Sequence, residues 1–147
     1  MPPDNRVDPS TTLPPHAGRP RCDLPLHPRA REGLRYFNAG LYFEAHEELE
    51  AAWREETEAI RDLYRGILQV GVAYYHIQRA NYNGARKLLL RCRPWLAPYP
   101  DWCWGIHVEK LRQDYQIVER KLIQLGPEQV SQIPKTLLKP IEWEERG

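Results

Sequence analysis

The chain has 147 residues, a formal net charge of +1, 41% hydrophobic and 28% charged residues. That length supports one hydrophobic core, and the composition is that of an ordinary globular domain. Near-neutral charge argues against a dedicated nucleic-acid binder, and no apolar run approaches the roughly 20 residues of a membrane-spanning helix.

The N-terminus lacks the apolar core of a signal peptide, so the expected setting is cytoplasmic. Cys22, Cys92 and Cys103 agree with that setting. They are odd in number, scattered and without a C-x-x-C pair, and they read as free thiols. Residues 1–27 contain seven prolines, little apolar content and no periodicity, which predicts a disordered arm. Pro28 is a good first-turn residue, and a short helix is expected to follow over Arg29–Ala39, closed by Gly40.

The second helix is expected over Leu41–Glu56, with Tyr42, Ala45, His46, Leu49 and Trp53 facing inward and Glu47, Glu48, Glu55 and Glu56 outward. The third, Glu58–Arg79, is apolar nearly all round: Leu63, Ile67, Val70, Tyr74 and Ile77 form one stripe, Tyr64, Leu68 and Tyr75 another. Such a helix belongs in the centre of its domain. A fourth helix, Tyr82–Trp95, is basic outside through Arg86, Lys87, Arg91 and Arg93. Pro94, Pro98 and Pro100 then open an aromatic connector holding Trp95, Trp102 and Trp104. Stacking a flat ligand is one use for it; a plug closing one end of the core is the preferred reading. The fifth helix, Gly105–Leu125, spaces Val108, Leu111, Tyr115, Val118, Leu122 and Leu125 as a seam for the bundle or for a second subunit. Gly126-Pro127 stops it, and residues 127–147 are expected to be an irregular tail, partly docked. No alternation of period two competes, so the class is all-α: about five helices in antiparallel hairpins, without a β-sheet. The domain proper is expected over residues 28–126.

A weak repeat supports the hairpins. Gly40-Leu41-Tyr42-Phe43-Glu44-Ala45 aligns with Ala80-Asn81-Tyr82-Asn83-Gly84-Ala85, and Leu49 with Leu89, at an offset of 40. It resembles tetratricopeptide hairpins, but with a longer period and only two copies.

Chemistry-bearing residues concentrate on the second and third helices. His46 and Glu50 stand at i and i+4, and Trp53 follows on the same side. Gly66, Gln69, Ala73 and His76 share one line of the third helix. If the two helices are antiparallel, His46/Glu50 and Gln69/His76 converge. His46, Glu50 and His76 would then be the candidate ligands of a divalent metal, or His46 a base oriented by Glu50. His46-Glu47-Glu48-Leu49-Glu50 is not the zinc-protease pattern, and the Glu-x-x-His pairs of carboxylate-bridged bundles are incomplete. A structural bond from His46 to Glu50 is the preferred reading. No catalytic residue is assigned and no cofactor is expected.

The run from Phe37 to Trp53, with Asn38, Gly40, Tyr42, Glu44, His46, Glu47 and Glu50, resembles domain-of-unknown-function family 309, small helical proteins found mainly in prokaryotes. Tyr64-Arg65-Gly66-Ile67-Leu68-Gln69-Val70, Ala73, Tyr75, His76, Asn81 and Gly84-Ala85 extend the resemblance, which spans about residues 29–125. Arg65 departs from it, where glutamine is expected. The resemblance implies a compact all-α array and no established activity. The expected function is a structural or protein-interaction module, acting on a protein partner or on itself, without membrane or nucleic acid. The alternative is a metal- or small-ligand-binding protein, with hydrolysis as its chemistry, built on the His/Glu cluster.

Overall fold

In the computed structural model, residues 22 and 25–144 are described. His27 accepts a hydrogen bond from the Arg29 amide through Nδ1, which satisfies one of the free donors at the start of α1 (Pro28–Asn38). Four helices follow: α2 (Tyr42–Glu55), α3 (Ile60–Gln78), α4 (Tyr82–Leu96) and α5 (Val108–Leu125). The boundaries agree with the periodicity to within three residues. The exception in type is a two-residue antiparallel ribbon, β1 (Trp102–Cys103) with β2 (Ile106–His107), inside the aromatic connector. Trp104 and Gly105 at its tip both have positive φ, a local backbone choice that helical periodicity does not report.

The two corners of the repeat close identically. At the end of α1, Gly40 donates to the Phe37 carbonyl at 3.0 Å and Leu41 to the Tyr36 carbonyl at 2.9 Å. Forty positions on, Ala80 donates to Ile77 at 3.0 Å and Asn81 to His76 at 2.8 Å. This paired closure needs a left-handed residue, and Gly40 (φ 78°) and Ala80 (φ 57°) supply it. Buried side chains correspond as well: Leu34 with Tyr74, Phe37 with Ile77, Ala45 with Ala85, Leu49 with Leu89. The α1–α2 and α3–α4 hairpins are therefore two copies of one unit, and α3 is the central element of the array. Its close contact with the end of α4 depends on Gly66, where a Cβ would stand 2.6 Å from Leu96 Cδ2.

The α5 seam lies inside the chain's own core, with Val108, Val118 and Leu122 fully buried. It is thus unavailable to a second subunit. Arg112 from α5 donates to the Leu96 and Tyr99 carbonyls at 2.8 and 3.0 Å, finishing α4. Of the connector tryptophans, Trp104 is buried against Tyr99 and acts as the plug, whereas Trp102 is exposed and stacked on His107 at 4.3 Å.

Both ends of the described chain converge on the connector. The Cys22 carbonyl accepts from Trp104 at 3.2 Å, and the tail pairs with the ribbon through His107 to Glu142 (2.9 Å) and Glu144 to Gly105 (2.8 Å). Asn38 holds the tail from the other side: its amide donates to the Ile141 carbonyl at 2.9 Å and its oxygen accepts from the Ile141 amide at 2.7 Å. Ile133 and Ile141 are buried as a result. The rest of the proline-rich arm, residues 1–21, 23 and 24, lies outside the described residues.

One expectation is overturned. Cys22 and Cys103 form a disulfide, with Cα atoms 4.5 Å apart across 81 residues of sequence, and only Cys92 is a free thiol. The pair has no local signature, because what joins it is the return of the arm to the ribbon rather than spacing. The thiol argument for a cytoplasmic setting falls away with it. Among the described residues, no helix is long and apolar enough to cross a membrane.

Two outcomes follow from this architecture. Ala80→Gly should raise stability by about 0.5–1 kcal/mol in a denaturant titration, since a left-handed residue with a Cβ is strained; a fall would mean the corner is not left-handed in solution. Protein denatured without reductant should take up one alkyl group at Cys92 and, after reduction, three by mass. Three before reduction would remove the disulfide.

Candidate functional site

The packing of α2 against α3 separates the predicted cluster into two halves. Helical geometry places Tyr42, Ala45, Leu49 and Ala52 of α2 in the core, so His46 and Trp53 are carried to its edges. His46 ends near Phe43, Val72, Tyr75 and His76; Trp53 ends near Arg61 and Arg65.

At the Trp53 end the chemistry is cationic and aromatic. The Arg65 guanidinium carbon lies 4.9 Å from the Trp53 ring and 4.9 Å from the Trp95 ring, between the two. Arg61 covers Trp53 at 4.8 Å and donates from Nε to the Trp53 carbonyl at 3.1 Å. Each such contact is worth about 0.5–2 kcal/mol, depending on how far water is excluded. Burial, helped by the neighbouring Arg61, holds the Arg65 guanidinium below its usual value. Arg65 is therefore a structural wedge joining α2, α3 and α4, a role its place in the sequence did not reveal. A Trp followed by arginines 8 and 12 positions later was the available signal, but only the α2–α3 turn brings them together.

Glu50 belongs to this end too. Its carboxylate accepts from Arg54 at 3.1 Å, while His46 Nε2 stands 4.0 Å from Glu50 Oε1, beyond hydrogen-bond reach. Both side chains are about one-third exposed, at 34% and 35%, so the semi-buried pair favoured from spacing is present as a contact at 4.0 Å without a hydrogen bond. Glu44 and Glu47 are on the exposed side of α2. Gln69 is buried away from the histidines, with its Oε1 accepting no hydrogen bond among the described residues. Among those residues no three His, Cys, Asp or Glu side chains assemble to hold a metal ion, so His46, Glu50 and His76 do not form the shell that spacing suggested.

At the other end, Tyr42, Phe43, His46, Val72, Tyr75 and His76 enclose a groove of about 170 Å³. Phe43 is 51% exposed and Leu41, just before it, 46%. The rings of Phe43 and Tyr75 lie 5.9 Å apart, and Arg79 covers Tyr75 at 5.6 Å. Tyr42 forms the floor; burial pushes its phenol up to about 12, so it stays neutral.

His76 has a defined structural duty here. Asn81 Oδ1 accepts from the Gly84 amide at 3.0 Å, which turns the Asn81 amino group toward His76 Nδ1 at 3.2 Å. Nδ1 is then an acceptor, and the proton of the neutral imidazole sits on Nε2. Gly84 allows this, because a Cβ there would lie 2.8 Å from His76 Cγ. Burial, then the nearby Arg79 charge, hold His76 below the ordinary histidine value.

Residues 30–88 match the model of a family described as a domain of unknown function, DUF309. That stretch contains α1 from its third residue, α2, α3, the first half of α4 and both left-handed corners; it is shorter than the 29–125 spanned by the motif resemblance. A particular relative is the uncharacterised protein YpuF of Bacillus subtilis (strain 168), 45% identical over 49 residues. The match covers 33% of this chain and 28% of that protein. The motif residues Phe37, Asn38, Gly40, Tyr42, Gly66, Gln69 and His76 all fall inside the DUF309 match.

The His76 geometry sets a pH dependence. With its folded value depressed, the unfolded chain takes up the proton first as pH falls. The stability that depends on neutral His76 is fully present above the ordinary histidine value of 6.5 and is lost as pH falls from there through the lower value of the folded protein. The melting temperature should therefore fall as pH is lowered below about 6.5, and fall less in His76→Asn. Equal falls in both proteins would show that His76 is not held neutral.

Proposed function

We propose that this chain is a protein-interaction module whose α2–α3 groove receives an apolar anchor side chain of a protein partner. The observation that carries this reading is the size and lining of the groove. At about 170 Å³ it is smaller than the roughly 300–1,000 Å³ of small-molecule sites and matches one aliphatic or aromatic side chain. Its rim supports the same conclusion. Half-exposed Phe43 and Leu41 beside a concave apolar surface are what a docking hot spot needs.

The occupant we infer is an amphipathic segment of another protein, with a leucine- or phenylalanine-sized anchor flanked by basic residues. Glu44 and Glu47 on the exposed side of α2 supply the complementary charge. A second copy of this chain offers a similar pattern on α4, where Leu90 is 53% exposed between Arg86, Lys87 and Arg91. In this reading His46 and His76 are the polar edge of the groove, and no cofactor takes part.

Panning a random peptide library against the full chain, followed by affinity measurement, tests the proposal. Recovered peptides should carry an apolar anchor with basic flanks and bind Phe43→Ala at least about tenfold more weakly, about 1.4 kcal/mol. The melting temperature of Phe43→Ala should barely move, because the ring is half exposed. Peptides indifferent to Phe43, or a dimer that Leu90→Glu dissociates and that blocks peptide binding, would overturn the choice of partner.

A further inference from the structure

A second concavity lies on the other side of the α1–α2 corner, between that corner, the end of α3 and the C-terminal segment. It measures about 650 Å³, within the range of small-molecule sites. Its apolar surface comes from Tyr42, Ile77, Val130, Ile133 and Leu138. The tail reaches this position because a 3₁₀ turn at Val130–Gln132 buries Val130, and because Asn38 anchors Ile141 further on.

The polar groups in the lining differ in what they have left to offer. The Asn38 amide is consumed on both sides by Ile141, and Gln78 Nε2 donates to the Gly40 carbonyl at 3.1 Å. Ser131 and Lys135 make no side-chain hydrogen bond among the described residues, and Lys135 carries the single charge of the described lining. The carbonyl ends of α1 and α3 come to this region too, and would favour a cation if they were free. Those of Tyr36, Phe37, His76 and Ile77 already accept the corner hydrogen bonds. Among the lining side chains, what remains is an apolar wall with a hydroxyl and an ammonium.

From this cleft we infer a binding site for a small amphiphilic monocarboxylate, its aliphatic body against Ile77, Val130, Ile133 and Leu138 and its carboxylate toward Lys135 and Ser131. A carboxylate is the group that uses both donors, through charge-assisted hydrogen bonds. The site is separate from the α2–α3 groove, with Tyr42 as their shared wall, and does not depend on the function proposed for that groove.

The test is an amide-resolved NMR titration of the full chain with octanoate, beside 1-octanol and octylammonium as probes of the same length. Octanoate should shift amides of residues 38–42, 77–78 and 130–138 saturably, and bind at least about tenfold more tightly than either control. Lys135→Gln, at an exposed position, should keep its melting temperature and bind octanoate no better than octanol. Octanol or octylammonium binding as tightly as octanoate, shifts confined to the Phe43 groove, or no saturable shift would each overturn the inference.

Discussion

The left-handed corner is the constraint on which the rest of this molecule depends. A helix can reverse into an antiparallel neighbour over so few residues only if one residue takes a positive φ and the last carbonyls find new donors. Gly40 and Ala80 meet that requirement with matching hydrogen bonds forty residues apart. Everything downstream follows the same spacing, from the alanines that let the helices approach to the leucines that fill the interface. Even the side-chain amides at the ends of α1 and α3 correspond: Asn38 ties its corner to the tail, and Gln78 ties the second corner to the first.

Polar residues on the α2–α3 faces are sorted by the packing rather than gathered by it. Once Ala45, Leu49 and Ala52 occupy the core, His46 and Trp53, each one position further on and about two turns apart, leave it at opposite ends of the contact. Arg65 fills the gap at the Trp53 end, its flat cation between two indole faces. His76 fills a different one, accepting a hydrogen bond at the α3–α4 corner. What faces outward on this side is an aromatic groove with a polar edge.

The segments outside the repeat give the array its second concavity. The ribbon in the connector serves as the point where chain ends meet, with Cys22 on one side and residues 142–144 on the other. By holding the tail across α1, this junction also builds the wall of the larger cleft. A backbone ladder and a paired amide position the tail, and the disulfide ties the N-terminal arm to the same ribbon.

The five helices, their inward faces and both corners were legible in the chain itself. Helix periodicity of 3.6 residues and the backbone needs of a reversal are local properties, written in the order of Tyr42, Ala45, Leu49 or in Gly40. The motif Phe37–Trp53 was equally visible, as was its resemblance to a helical domain now matched over residues 30–88. The tertiary structure alone decided which motif residues meet. Whether His46 meets Gln69 or Tyr75 and His76 of α3 depends on the rotation of α2 about its axis, set by the buried leucine and alanines. The Cys22–Cys103 bond, the Trp53–Arg65–Trp95 stack and the cleft under the tail share that origin, for they join residues far apart in sequence, and only the packed core brings them within reach.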